Sequence, residues 1–343
     1  MTRPSRRWAI GGSCAAAFVF AISFAVAEAL HTAAAPTQVA VRAAPIEAFD
    51  NRDPSRTQFG SLTFRGGLVL TSDYKAFGGI SALHLDRDGE HLVAVTDNGS
   101  WLTARILYKE GRTAALSDAK MAPVLGLDGK PLAAQGWFDM ESLAERDGVF
   151  YVGIERVEKI VRLDFGKNGF AARGQPVPVP ADFKTFKFNK SLECLASPPK
   201  GAPLAGKLIV VTEHSLDTSG NHRSFLLDGD KVERFSVKRS GHFDVSDCAI
   251  LPPNDLLLLE RSFSPLSGVA MQIRRIPLSS VKEGVVADGP VLINADMGFQ
   301  IDNMEGLGVH RTPRGETVLT LVSDDNFSVI QRSLLLQFTL TGE

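Results

Sequence analysis

Five stretches of this chain share one design, and that recurrence limits the folds open to it more than any single motif does. They read GGISALHLDRDGEHLVAVTDNG, DMESLAERDGVFYVGIER, SLECLASPPKGAPLAGKLIVVTEH, SDCAILPPNDLLLLERSF and NMEGLGVHRTPRGETVLTLVSDDN. In each, a polar residue opens a short apolar run, a turn follows, and a second apolar run closes on an acid. Aligned by letter, the opening positions are Ser81, Glu141, Glu193, Asp247 and Glu305; the closing positions are Asp97, Glu155, Glu213, Glu260 and Asp324. The opening positions recur every 52 to 60 residues, a spacing that marks a repeat architecture.

Each repeat carries on into further strand-like runs, such as EKIVRLDF and GQPVPVP after Glu155. Alternation and β-branched content make these strands, and clusters of Gly, Pro, Asn and Asp separate them. Four strands per repeat predict an all-β fold, a single β-propeller of five four-stranded blades, with six blades as the alternative. The fifth repeat ends after its third strand, SLLLQFTL, so its fourth is expected from SLTFRGGLVLTS, Ser61 to Ser72. That exchange closes the ring and hides an open sheet edge.

The first residues read as an export signal, assigned to 1–35: a basic RPSRRW segment, an uncharged run from Ser13 to Val26, and small residues at a cleavage site. Arg6 and Arg7 resemble a twin-arginine signal, with Sec export the alternative. The Ala/Pro-rich stretch 36–58 reads as a linker, and 59–343 as the propeller domain. A periplasmic or secreted monomer is expected, with no membrane contact after signal removal. A formal net charge of -2 without long runs of one sign excludes general nucleic-acid binding, which needs a concentrated basic face.

In a propeller blade the start of the first strand and the end of the second share one rim. Nine carboxylates therefore converge on one mouth of the central channel: Asp97, Glu141, Glu155, Glu193, Glu213, Asp247, Glu260, Glu305 and Asp324. Asp139, Asp244, Asp302 and Asp325 stand close by, with Asn189, Asn303 and Asn326. Two such charges about 7 Å apart repel by roughly 2 kcal/mol at an effective dielectric near 20. The ring must bind cations, recruit Arg and Lys, or keep some acids protonated. Oxygen ligands without clustered Cys or His suit calcium, and magnesium less well. The alternative is a set of acidic strand ends paired with Arg, as at Glu155-Arg156 and Glu260-Arg261.

Small residues follow the opening positions: Ala82, Ser142, Cys194, Cys248 and Gly306. Equivalent side chains point the same way round a ring, so Cys194 and Cys248 are expected as buried free thiols rather than a disulfide. No G-x-S-x-G, H-E-x-x-H, paired C-x-x-C or P-loop occurs. The loop EHSLDTSGNHR gathers His214, Asp217 and His222, and its His214 joins Glu193 and Glu213 as a catalytic candidate. Lys75, Lys190, Arg156, Arg261 and Arg332 reach the same rim and would hold an anionic small-molecule substrate.

The segments FGGISAL, FDMESLA, SLECLA, LLLLERSF, DNMEGLGV and SDDNFSVIQRSLLLQF resemble the repeat motifs of the phytase-like family, also called "esterase-like activity of phytase". The resemblance runs from about residue 60 to 340. It implies an exported bacterial propeller and a hydrolase related to phosphate-ester cleavage; no catalytic residue is carried over from it. The Arg-His-Gly motif of histidine-acid phytases is absent, which excludes their mechanism. Together these readings predict a calcium-dependent hydrolase of phosphate esters, phytate-like substrates included, using a water activated by the cation. The alternatives are a non-catalytic, calcium-stabilised binding propeller and a lactonase-like carboxyl-ester hydrolase.

Overall fold

The computed structural model describes residues 35–186 and 190–342. The residues assigned to the export signal, apart from Ala35, lie outside this set, as do Lys187 and Asn189. Five sheets, antiparallel except for a short parallel edge pairing in the second and third, follow one another along the chain. Their inner strands are Ile80–Leu85, Met140–Arg146, Cys194–Ala196, Asp244–Leu251 and Asn303–Arg311, one per blade. Three further strands extend each sheet outwards, in chain order except in the fifth blade, and short or edge strands bring the sheets to five, five, five, four and six strands. There Leu62–Ser72 pairs with Ser333–Leu340 over the register Leu62↔Leu340 to Leu70↔Ser333, so the ring closes as the repeat count requires.

The stretch 36–58 is no linker. Its strand Val41–Ile46 pairs outside Leu62–Ser72, and Thr37–Gln38 pairs with Arg112–Pro123 of the first blade. Phe49 from the same stretch is fully buried, packed against Phe59, Phe64, Phe299 and Phe338. Alanine richness masked the spacing of Val39, Val41 and Ile46, whose side chains bear on the outer edges of two blades.

Five apolar cores lie between neighbouring blades, such as Trp101 with Leu143 and Val152, or Leu258 with Cys194 and Val211. Burial of such faces is the main stabilising term of the fold, at roughly 25 cal/mol per Å² of apolar area. Among the described residues no helix is long and apolar enough to cross a membrane.

Backbone register shows one departure from the letter alignment. Four blades share a frame in which Gly79, Asp139, Ser191 and Asn303 face Asp97, Glu155, Glu213 and Asp324 across the first two strands. In the fourth blade the matching pair is Asp244↔Arg261. Counting two residues on from each frame position gives Ser81, Glu141, Glu193, Ser246 and Glu305. The fourth blade is thus offset by one residue from its letters, and in a strand one residue turns every side chain to the other face. Cys248 is therefore not the equivalent of Cys194, and the expectation of free thiols fails. The two form a disulfide across neighbouring inner strands, with Cα atoms 5.2 Å apart, within the usual range for a bridge.

Candidate metal centre at the acidic mouth

The aligned ends of the blades enclose a cavity of about 920 Å³. Ten carboxylates line it: Asp97, Asp139, Glu141, Glu155, Glu193, Glu213, Asp244, Asp302, Glu305 and Asp324. Three strong bases, Lys190, Arg239 and Arg261, line it with them. Glu141 sits at a β-bulge between Met140 and Ser142, and Glu305 at one between Met304 and Gly306. A bulge re-aims the extra side chain out of the pleat, here into the channel.

Glu155, Glu193 and Glu213 form the tightest group, offering one oxygen each within 4.8 Å of one another. All three are buried. Two ionised carboxylates at that separation repel by roughly 3 kcal/mol at an effective dielectric near 20. Some of the charge is met locally. Lys190 Nζ donates to Glu213 Oε1 at 2.6 Å, and the backbone N–H of Ser191 donates to Glu155 Oε1 at 2.5 Å. Arg261 Nη2 lies 3.2 Å from Glu305 Oε1 and 3.6 Å from Glu213 Oε1. Asn303 joins the two, accepting from Arg261 Nη1 at 2.7 Å and donating to Glu305 at 2.8 Å.

This neutralisation is incomplete. Glu193 Oε2, Glu305 Oε2 and Asp97 Oδ1 are buried with no hydrogen-bond partner, a costly arrangement for an acceptor. Burial, then repulsion from neighbouring acids, pushes Glu193 and Glu141 far above the ordinary carboxylate range. Burial also raises Asp97 and Glu155 to about 7. Glu305 rises to about 8 for the same reason, although Arg261 opposes the shift. Burial alone would weaken the charge on Arg261, but Glu305, Glu193 and Glu213 hold its pKa above the ordinary value. The buried Glu155/Glu193/Glu213 group can hold a metal ion, and its all-oxygen donor set matches a hard cation.

Local backbone geometry serves the same end. Asp139 takes a left-handed φ of 65°, which Asp tolerates better than most residues. Its N–H donates to Asp97 O and its carbonyl accepts from Glu155 N. Gly79, at φ 59°, lies so close to Asp97 that a Cβ would fall 2.1 Å from Oδ1. The acid pair Asp324-Asp325 divides its work. Asp324 lines the cavity, while Asp325 accepts from Gly79 N, Phe327 N and Ser333 Oγ.

Seven of the nine predicted metal-ligating residues line the cavity: Asp97, Glu141, Glu155, Glu193, Glu213, Glu305 and Asp324. Asp247 and Glu260 do not, because the one-residue offset turns them away. Asp247 accepts from Leu307 N at 2.7 Å and Cys248 N at 2.7 Å, joining the fourth blade to the fifth. Glu260 is fully buried against Arg274, which donates from Nε at 2.7 Å and Nη2 at 2.6 Å, and it also accepts from Gln272. Arg261 lines the cavity instead, while Ser246 is buried and donates from Oγ to the Met304 carbonyl at 2.9 Å. A signal for this was present: the opening residue elsewhere follows a large apolar residue (Ile80, Met140, Leu192, Met304), and only Val245-Ser246 fits that rule in the fourth repeat.

Of the predicted anion-binding residues, Lys190 and Arg261 line the cavity. Lys75 is exposed and does not line it. Arg156 lies over the Phe138 ring, 5.2 Å from its centroid. Arg332 is engaged by Asp302, Gln300 and the Ile301 carbonyl. Catalytic candidate His214 sits behind the wall, its Nδ1 2.8 Å from Asp244 Oδ1. In the same loop, Asp217 closes a turn through Ser219 N and Asn221 N. His222 is fully buried, and burial lowers its pKa to about 4. Sequence reasoning assigned no role to Arg239 or to the apolar side chains Phe263, Met297 and Ile330 of the cavity wall, although Phe263 closes the fourth repeat stretch and Ile330 lies in the last family-like segment.

Fold and cavity define a five-bladed propeller whose channel opens through a carboxylate-lined mouth. Residues 75–327 match the family described as "Phytase-like: Esterase-like activity of phytase", and the chain belongs to it. No curated protein matches the chain. Among solved structures, aldose sugar dehydrogenase from Streptomyces coelicolor in its PQQ-bound form is similar at 12% identity. That match covers 89% of this chain and 100% of the other, with a TM-score of 0.40. Glutaminyl cyclase of Myxococcus xanthus is similar at 8% identity over 77% of this chain and 92% of the other, with a TM-score of 0.40. The N-terminal domain of Nup159 is similar at 10% identity over 83% and 97%, with a TM-score of 0.37. Likeness at this level carries nothing about the chemistry of this chain.

Proposed function

We propose that this protein is an exported, calcium-dependent hydrolase of phosphate monoesters, cleaving the P–O bond with water to give an alcohol and inorganic phosphate. The observation that carries this reading is the buried Glu155/Glu193/Glu213 group with its unpartnered Glu193 oxygen, walled by Lys190 and Arg261. Glu155, Glu193 and Glu213 would hold the cation. Such an ion supplies charge neutralisation for a phosphoryl group and acidifies water at its surface. Lys190 and Arg261 provide the positive charge that orients an anionic ester, Arg261 with a planar fork suited to phosphate. Asn303 and Glu305 fix the Arg261 fork. Export is supported by the Cys194–Cys248 disulfide, since such bridges persist in oxidising compartments.

The test is phosphate release from phytate and from a simple phosphomonoester, beside hydrolysis of a carboxyl ester, with calcium and after chelation. Calcium-dependent phosphate release, lost in Glu193→Gln, is expected. Turnover that survives both chelation and Glu193→Gln would overturn the reading. Lys190 and Arg261 already answer part of the acidic charge, and this favours the rival reading of a non-catalytic propeller whose cation is structural. Stabilisation by calcium without turnover on any ester would decide for it.

A further inference from the structure

The cavity that gathers the carboxylates is not polar throughout. On the side of the fourth and fifth blades its wall is built by Phe263, Val269, Met297 and Ile330. Three of these stand in solvent, Phe263 at 72%, Met297 at 54% and Ile330 at 87% exposure. Leu266, in the turn just beyond the strand that carries Phe263, and Val329, beside Ile330, are fully exposed. A single exposed apolar side chain needs no explanation, but a group of them bordering a ligand-sized cavity marks a contact surface.

The backbone builds this wall. Strands Asp255–Ser264 and Gly268–Pro277 stay paired out to Ser264↔Gly268, so the hairpin carries Phe263 two residues beyond Arg261. Met297 packs on that hairpin: a Cβ on Gly268, at φ 72°, would lie 2.7 Å from its Cγ. The corresponding turn of the third blade is Asp-Thr-Ser-Gly-Asn, polar and closed on itself by Asp217. One mouth thus offers acids and bases at its floor and hydrocarbon on one side only.

We infer that the ligand of this cavity is amphiphilic, with its anionic end at Lys190 and Arg261 and a hydrocarbon group against Phe263, Met297 and Ile330. The preferred substrate class is then an alkyl or aryl phosphate rather than a polyol phosphate. The anionic end rests on the hydrolase reading above; the apolar end rests on the wall alone. A small molecule is the occupant because the wall and the carboxylates border one cavity, of a volume typical of small-ligand sites.

The test is equilibrium binding of methylphosphonate and hexylphosphonate, which cannot be hydrolysed, to the calcium-loaded protein and to a Phe263→Ser/Ile330→Ser variant. About 30-fold tighter binding of the hexyl compound to the native chain is expected, about 2 kcal/mol and half of full burial of five methylenes. In the variant the ratio should fall below about threefold. Both positions are exposed, and an unchanged melting temperature confirms that the variant folds. Equal binding of the two compounds, an unaltered ratio in the variant, or no binding of either would overturn the inference. So would a ratio near one together with co-sedimentation on phosphatidylcholine vesicles, which would assign the wall to a membrane surface. If hexyl phosphate is bound with the expected chain-length dependence but not cleaved, the amphiphilic ligand stands and the hydrolase reading falls.

Discussion

Two buried carboxylates about one blade apart meet the cost of burial in opposite ways. Glu260 is fully enclosed but holds a bidentate Arg274 and a Gln272 amide, and Arg274 in turn reaches Asp288 and the Lys238 carbonyl. Glu193 is almost as enclosed, yet one of its oxygens has no partner and its nearest charged neighbours include Glu213 and Glu155. The fold can partner both oxygens of a buried acid, and it does so at Glu260, turned away from the channel, although burial still raises the pKa of that group. At the mouth it leaves the charge unmet. Ten carboxylates share this cavity, and the unpartnered oxygens of Glu193, Glu305 and Asp97 among them read as room for a ligand cation.

The contrast can be broken from either side. Arg274→Met should be the most damaging change, costing about 3–5 kcal/mol because Glu260 is left buried and unpaired. Urea unfolding of this variant should show the loss, and of the pair Glu260→Leu with Arg274→Met a large recovery. Equal losses in both would mean that the pair matters as packing only. At the mouth, calcium at a hundredfold its Kd should stabilise the protein by about 2.7 kcal/mol, seen as a higher melting temperature that chelation reverses.

Acidity sharpens the same contrast. Burial raises Asp324 to about 6, Asp97 and Glu155 to about 7, and Glu305 to about 8. Acids with raised folded-state pKa values stabilise the fold below the ordinary carboxylate range, and that stability is lost as pH rises through the folded values. The cation-free protein should therefore lose stability steadily from about pH 4 to about pH 8. Calcium should flatten that decline by taking the place of the protons. A urea midpoint independent of pH without calcium would contradict the electrostatic picture. The smallest effect expected is from Glu193→Gln without cation, a gain of roughly 1 kcal/mol by relief of repulsion; with calcium the sign should reverse.

The ring, its five-fold count and its closing strand were legible because strand alternation and turn residues are written locally in each repeat. Most of the mouth was legible for the same reason, since Glu141, Glu193 and Glu305 occupy equivalent positions. The fourth blade was misread because its letters match at Asp247 and Glu260 while its register runs through Ser246 and Arg261. A bulge can move by one residue without altering the composition of the motif. The disulfide was hidden by the same offset, as only the shifted register brings Cys248 opposite Cys194. The linker was misread because alanine conceals alternation. The apolar wall was not legible, since the place over the cavity of Phe263, near the end of strand Asp255–Ser264, and of the turn residue Ile330 depends on the closed ring.

At the mouth, Glu155, Glu193 and Glu213 are proposed to hold a divalent cation. Calorimetric titration of calcium into chelator-stripped protein at pH 7.5, repeated on Glu193→Gln, tests it most directly. Saturable binding that disappears or weakens at least tenfold in Glu193→Gln is the predicted result, as the loss of one charged oxygen ligand from three requires. Binding of equal strength in both proteins, or no binding in either, would contradict it.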